Sequence, residues 1–245
     1  MEIRPETQIA EVATAHPATI RVFQRHGIDF CCGGKRPLTE VCGEKGIAFE
    51  SLLQDLNGAI AGSPPSQRSW QDAPLAELVA FIVDRYHQWL KDELPRLSQM
   101  MNKVLAVHGE RHPDLQPIGN SFREILGEIE PHMMKEERVL FPYLTQLGNL
   151  EQKGETLPGS PFGSVRNPIG AMESDHEYLG RLLLQLREQT GNFTPPEDAC
   201  NTYRGLFHGL NEMEGELHEH IHLENNVLHP RAIALEEKLQ AALTA

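Results

Sequence analysis

Apolar residues recur at helical intervals along most of the chain. Leu75, Leu78, Val79, Ile82, Val83, Tyr86, Leu90, Leu94 and Leu97 form one stripe, three and four residues apart, as on the buried face of an α-helix. A second stripe runs Phe122, Ile125, Leu126, Ile129, Met133 and Leu140. A third runs Met172, Leu179, Leu182, Leu183 and Leu186. The fourth, after Pro195 and Pro196, runs Leu206, Leu210, Met213, Leu217, Ile221, Val227 and Leu228. Four such stripes joined by turns predict an all-α chain whose larger part, residues 73–245, is an up-down four-helix bundle. Asn167, followed by Pro168, is the expected N-cap of the third helix.

Residues 1–60 read as a separate small helical module. Ile9, Val12 and Ala13 precede Pro17, and a second helix through Ile20, Val22 and Phe23 stops at Gly27. Pro37 opens a short helix reaching about Gly43, and Phe49, Leu52, Leu53 and Leu56 mark a fourth. Residues 61–72, AGSPPSQRSWQD, are rich in Pro, Ser and Gly and predict the linker.

Polar positions on the apolar stripes carry the chemistry. HMMKEERVLFP, from His132 to Pro142, returns as HIHLENNVLHP, from His220 to Pro230. Residues four apart on a helix share a face, so His132 with Glu136, and His220 with Glu224, make two half-sites for a metal. His87, His132, His176 and His220 follow one another at 45, 44 and 44 residues. A chain rising and falling through four helices returns to one level at about that interval. The expectation is a cage of four imidazoles and two carboxylates, a donor set that suits two iron or manganese ions better than one zinc. A buried carboxylate without a partner costs several kcal/mol, so two on apolar stripes are not accidental.

Other histidines compete. Glu173 with His176 and Glu219 with His222 are Glu-x-x-His pairs of the ferritin type, but lack the shared surroundings of the repeat. His218 and His222 flank the apolar face, His108 and His112 sit near a helix end, and His16, His26, His208 and His229 have no carboxylate at a repeated spacing. Most of these are expected at the surface. Glu128, one turn before His132, and Asp175, beside His176, are candidate outer-sphere acids. Cys42 and Cys200, isolated in helical runs, are expected to be packing residues.

Composition removes some classes of function. A net charge of −13 with 22 scattered Lys and Arg excludes the basic stripe of a nucleic-acid surface. No 18-residue apolar run marks a membrane span and no basic-then-apolar leader opens the sequence, so a cytoplasmic location is expected. The four cysteines suggest no disulfide framework.

RYH at 85–87, HMMKEE, MESDH at 172–176, HIHLENN and the segment DFCCGG together resemble the hemerythrin-like di-iron proteins called RIC, for repair of iron centres, also known as the YtfE, ScdA and DnrN family. The resemblance covers nearly the whole chain. It implies an N-terminal domain bearing Cys31 and Cys32, and two iron ions with an oxo or hydroxo bridge, held by His87, His132, Glu136, His176, His220 and Glu224, with both Glu bridging. It implies repair of iron-sulfur clusters damaged by oxidative or nitrosative stress, by iron supply. Reduction of nitric oxide at the di-iron centre is the alternative, and an oxygen or nitric oxide carrier or sensor a third. Damaged iron-sulfur proteins, nitric oxide, an electron donor and a second copy of the chain are the implied partners. Cys31 and Cys32 are candidates for a thiol relay, with a buried structural turn as the competing reading. Pro131, directly before His132, departs from a regular helix interior and predicts a kink.

Overall fold

The computed structural model describes residues 1–63, 70–157 and 159–242. Among them the only pairing of extended backbone is an isolated bridge between Gln8 and Pro37, and the rest of the regular structure is helical. Residues 64–69 of the expected linker lie outside the described residues. No helix among those described is long and apolar enough to cross a membrane.

The N-terminal module contains α1 (Ile9–Ala15), α2 (Ile20–Arg25), α3 (Leu38–Lys45) and α4 (Phe49–Ala61). Its own core joins Ile9, Val12, Phe23, Phe30, Leu38, Leu52 and Leu56. α2 gives way to Gly27 at φ +60, as the sequence predicts, while α3 runs past Gly43 and stops at Gly46, φ +65, in the left-handed region where a side chain is strained.

The bundle has four rods. The first is α5 (Leu75–Ile82) and α6 (Gln88–His108), the second α7 (Leu115–Lys135) and α8 (Phe141–Lys153), the third α9 (Arg166–Gln189), the fourth α10 (Asn201–Leu223) and α11 (His229–Ala241). Three rods are interrupted by one wider π turn: Val83–His87, Glu136–Leu140 and Glu224–Leu228. The repeated Leu-x-Pro accounts for two of them. Pro142 and Pro230 cannot donate to the carbonyl four residues back, and their rings crowd it. In the turn just before each Pro, Phe141 and His229 bond back to Glu136 and Glu224, five residues away, which makes room. α7 itself runs unbroken through Pro131, so the departure from regular helix comes after His132, not at the proline.

The apolar core divides around one layer. Leu90, Leu94, Ile125, Leu183, Leu210 and Leu217 belong to a cluster on one side, and Leu75, Leu78, Leu144, Leu147, Ile169 and Leu228 to a second on the other. Each buried Leu or Ile contributes about 1.5–3 kcal/mol, so the polar layer between them is sealed at both ends by the groups that hold the fold together.

α9 begins at Arg166, ahead of the expected Asn167. Its first turn is served from across the bundle: buried Glu236 accepts from the Val165 backbone N–H at 2.9 Å, from Ser164 Oγ at 3.0 Å and from Tyr143 Oη at 2.6 Å. A carboxylate at a helix N-terminus meets both free N–H groups and the favourable end of the dipole.

Candidate metal centre

The polar layer is where the four rods bring His87, His132, His176 and His220 together. His87 closes the first π turn, Glu136 and Glu224 open the other two, and His132 and His220 lie one turn earlier. Glu136, Glu224, His87, His176 and His220 are fully buried and His132 is 3% exposed.

The imidazoles meet in pairs, Nε2 to Nε2: His87 and His220 at 3.1 Å, His132 and His176 at 3.0 Å. Each carboxylate spans one member of each pair. Glu136 lies 3.4 Å from His87 and 3.3 Å from His132, and Glu224 lies 3.0 Å from His220 and 3.2 Å from His176. Two four-ligand sets result, His87, Glu136, His220, Glu224 and His132, Glu136, His176, Glu224, in each of which the donor atoms lie within 4.8 Å of one another. Both carboxylates belong to both sets.

The outer nitrogens fix the tautomers. His87 Nδ1 donates to Glu137 Oε1 at 2.8 Å, His176 Nδ1 to Asn225 Oδ1 at 2.8 Å, and His132 Nδ1 faces Asp175 Oδ2 at 3.3 Å. With Nδ1 engaged on the outside, each of these rings keeps Nε2 as the nitrogen that faces the cage. His220 is held differently, by Tyr86 stacked on it at 5.5 Å and 7°. Asp175 lies beside the His132 ring and also takes Lys135 Nζ. Glu128 does not touch this layer: it is exposed on the outer face of α7.

These groups fit a cation. Four Nε2 atoms converge on one another, and both Glu136 oxygens and Glu224 Oε2 are buried without a hydrogen-bond partner. Burial opposes charge throughout the layer, yet the opposite charges win. Although burial lowers it, His132 is held up at about 9 by the charge of Glu136. Although burial raises it and Glu224 repels it, Glu136 is pulled down to about 2 by His132 and His87. Carboxylates that stay ionised in a sealed layer hold protons on the imidazoles beside them, and a metal cation is what can take the place of those protons. The Glu-x-x-His alternative fails on geometry, because His222 points out of the layer, to Phe30 O at 3.2 Å and Thr14 Oγ1 at 3.5 Å.

Several expectations for the other histidines are corrected. His222 and His229 are buried at 2% and 0%, and His108 at 9%. The N-terminal module covers the His222 face, and desolvation there pushes that imidazole down to about 4. His108 contacts Cys200, and Cys200 is not a packing residue but the exposed N-cap of α10.

The DFCCGG segment caps the layer from outside. Asp29 accepts the backbone N–H groups of Cys31, Cys32 and Gly33 at 3.0, 2.9 and 2.8 Å. Gly34 is required because a Cβ there would meet Phe30 O at 2.8 Å. The two Sγ atoms are 3.8 Å apart, and Cys32 Sγ lies 3.5 Å from His176 O. The Cys32 hydrogen bond, burial and the Asp29 charge hold the Cys31 thiol far above its ordinary range, so it stays protonated. Asn225 and Asn226, next to Glu224, donate to Cys31 O at 3.5 and 3.1 Å.

Known proteins carry the same two parts in the same order. Residues 5–60 match a domain family of unknown function, DUF542, and residues 78–232 match the hemerythrin HHE cation-binding domain. The iron-sulfur cluster repair protein YtfE of Pectobacterium atrosepticum is 38% identical over 228 residues, 93% of this chain and 97% of that protein. YtfE of Yersinia pseudotuberculosis is 39% identical over 226 residues, 92% of this chain and 96% of that protein. Likeness of this extent, running through both domains and across the whole cage, means that the chain belongs to the family of YtfE-type iron-sulfur cluster repair proteins.

Proposed function

We propose that this protein restores iron-sulfur clusters damaged by oxidative or nitrosative stress, supplying iron from a dinuclear centre. The observation that carries the reading is the sharing of Glu136 and Glu224 between two complete ligand sets. His87 and His220 would hold one iron, His132 and His176 the other, and the two carboxylates would bridge them together with an oxo or hydroxo group. Bound iron supplies redox change and open positions for small molecules.

The chain's own residues set how firmly it is held. Glu137, Asp175 and Asn225 orient three of the imidazoles. Carboxylate oxygens are hard ligands that favour ferric over ferrous iron, so reduction loosens the site and favours transfer to a client. Cys32, whose Sγ lies 3.5 Å from His176 O, is the thiol placed to relay that iron or the electron that frees it, as a soft ligand once it gives up its proton, with Cys31 3.8 Å behind it. The client is a damaged iron-sulfur protein, the centre requires an external electron donor, and a cytoplasmic homodimer is the setting the family resemblance suggests.

The donor count favours a second reading. Six protein ligands and one bridge leave one position on each of two six-coordinate irons, which suits reduction of two nitric oxide molecules. Turnover of nitric oxide with a reductant separates the two activities. The direct test of the first is recovery of a nitric-oxide-inactivated [4Fe–4S] dehydratase on adding the iron-loaded protein. Recovery with the wild type and none with Glu136→Ala is expected, and equal recovery with both contradicts the proposal.

A further inference from the structure

The two copies of the repeat stack different rings on the cage imidazoles. In the repeat, Phe141 of the first copy stands where the second has His229. Both residues follow a π turn and open the next helix, and both are buried. Each lays its ring along an imidazole of the cage: Phe141 on His87 at 5.6 Å and 24°, His229 on His176 at 6.1 Å and 9°. Packing explains Phe141 completely.

It does not explain His229. The residue is 0% exposed, and neither Nδ1 nor Nε2 has a hydrogen-bond partner. A donor and an acceptor left bare in the interior forfeit their full hydration, which a phenylalanine at the same place would avoid. Nor is His229 a further metal ligand, since it belongs to neither four-ligand set. What is left for its free nitrogens is a molecule that comes and goes.

We infer that His229 is a positioning residue that hydrogen-bonds a small anion or diatomic molecule entering the cage on the His132–His176 side. The ring stacked on His87, Phe141, offers such a guest only hydrocarbon; the ring stacked on His176, His229, offers an N–H donor. Guests of a few heavy atoms with an acceptor atom are the class selected, and they are held at one side of the cage in preference to the other. This inference rests on the dinuclear iron reading above.

Azide is the probe, titrated into the diferric protein and followed by its charge-transfer band. Loss of one hydrogen bond to a charged guest corresponds to about a tenfold to hundredfold weakening. His229→Phe, which copies the other half, is expected to keep wild-type iron content, weaken azide by at least about tenfold and shift the band. His229→Gln, with its own N–H, is expected to regain much of the affinity. Azide binding in His229→Phe as tight as in the wild type, at equal iron content, overturns the inference, as does loss of iron from both variants, which would make His229 a ligand. A wild-type chain that takes up no iron contradicts the dinuclear reading itself and is told apart by the iron assay.

Discussion

Asn225 ties His176 to the cysteine segment: its Oδ1 accepts from His176 Nδ1 at 2.8 Å while its Nδ2 reaches Cys31 O at 3.5 Å. One carboxamide thus sets the tautomer of a cage residue and anchors the loop that covers it. Glu137 occupies the equivalent place in the first copy, taking His87 Nδ1 at 2.8 Å and Lys91 Nζ at 2.6 Å. Asn225→Ala frees the His176 ring, and partners of this kind are worth about tenfold to hundredfold in metal affinity. The variant should lose iron to a chelator faster than the wild type by that order, in a timed competition assay. An unchanged rate would mean that the ring is held by packing alone.

The cysteine pair separates holding iron from delivering it. Neither thiol lies among the cage donors, so replacing Cys31 and Cys32 together by Ala should leave the iron content as in the wild type. Recovery of a damaged client cluster should fall several-fold. Full repair by the double variant would reduce the pair to a structural turn.

His222 makes the contact between the two domains sensitive to acid. Burial lowers its pKa to about 4 from an ordinary value near 6.5, and its hydrogen bond to Phe30 O opposes this. Between those values the unfolded chain binds the proton and the folded one does not, so stability is complete above about pH 6.5 and is lost as the pH falls towards 4. The loss amounts to about 2 kcal/mol by pH 5. Urea midpoints at about pH 7 and pH 5 should differ less in His222→Gln than in the wild type. Equal differences would relieve His222 of the role.

Metal removal should be felt in the fold. Without a cation the layer confines two ionised carboxylates whose oxygens are largely without hydrogen bonds. A ligand that binds only the folded state at a hundred times its dissociation constant adds about 2.7 kcal/mol. The chelated protein should therefore melt several degrees below the loaded one in a calorimetric scan. Coincident transitions would show that the layer tolerates being empty.

Much of this was legible in the sequence because the repeat writes the cage twice. His132 with Glu136 and His220 with Glu224 share a face by helical spacing alone, and the 44- and 45-residue intervals bring His87 and His176 to the same level. Glu137 and Asn225 were harder to see. They follow the carboxylates directly, inside the π turns, and meet the outer nitrogens of imidazoles on other helices, a relation that helical spacing does not carry. The one available signal was their equal offset in the two copies. Glu236 serves Val165 from 71 residues away, a relation no local pattern carries. His222 and His229 looked like surface residues because the faces that bury them belong to the other domain and to the far side of the repeat.

The most direct measurement is iron per chain in freshly purified wild type and in Glu136→Ala. Because Glu136 belongs to both ligand sets, close to two irons are expected in the wild type and a sharp fall at both positions together in the variant. No iron in the wild type, or a variant that keeps all of it, would contradict the shared-carboxylate cage.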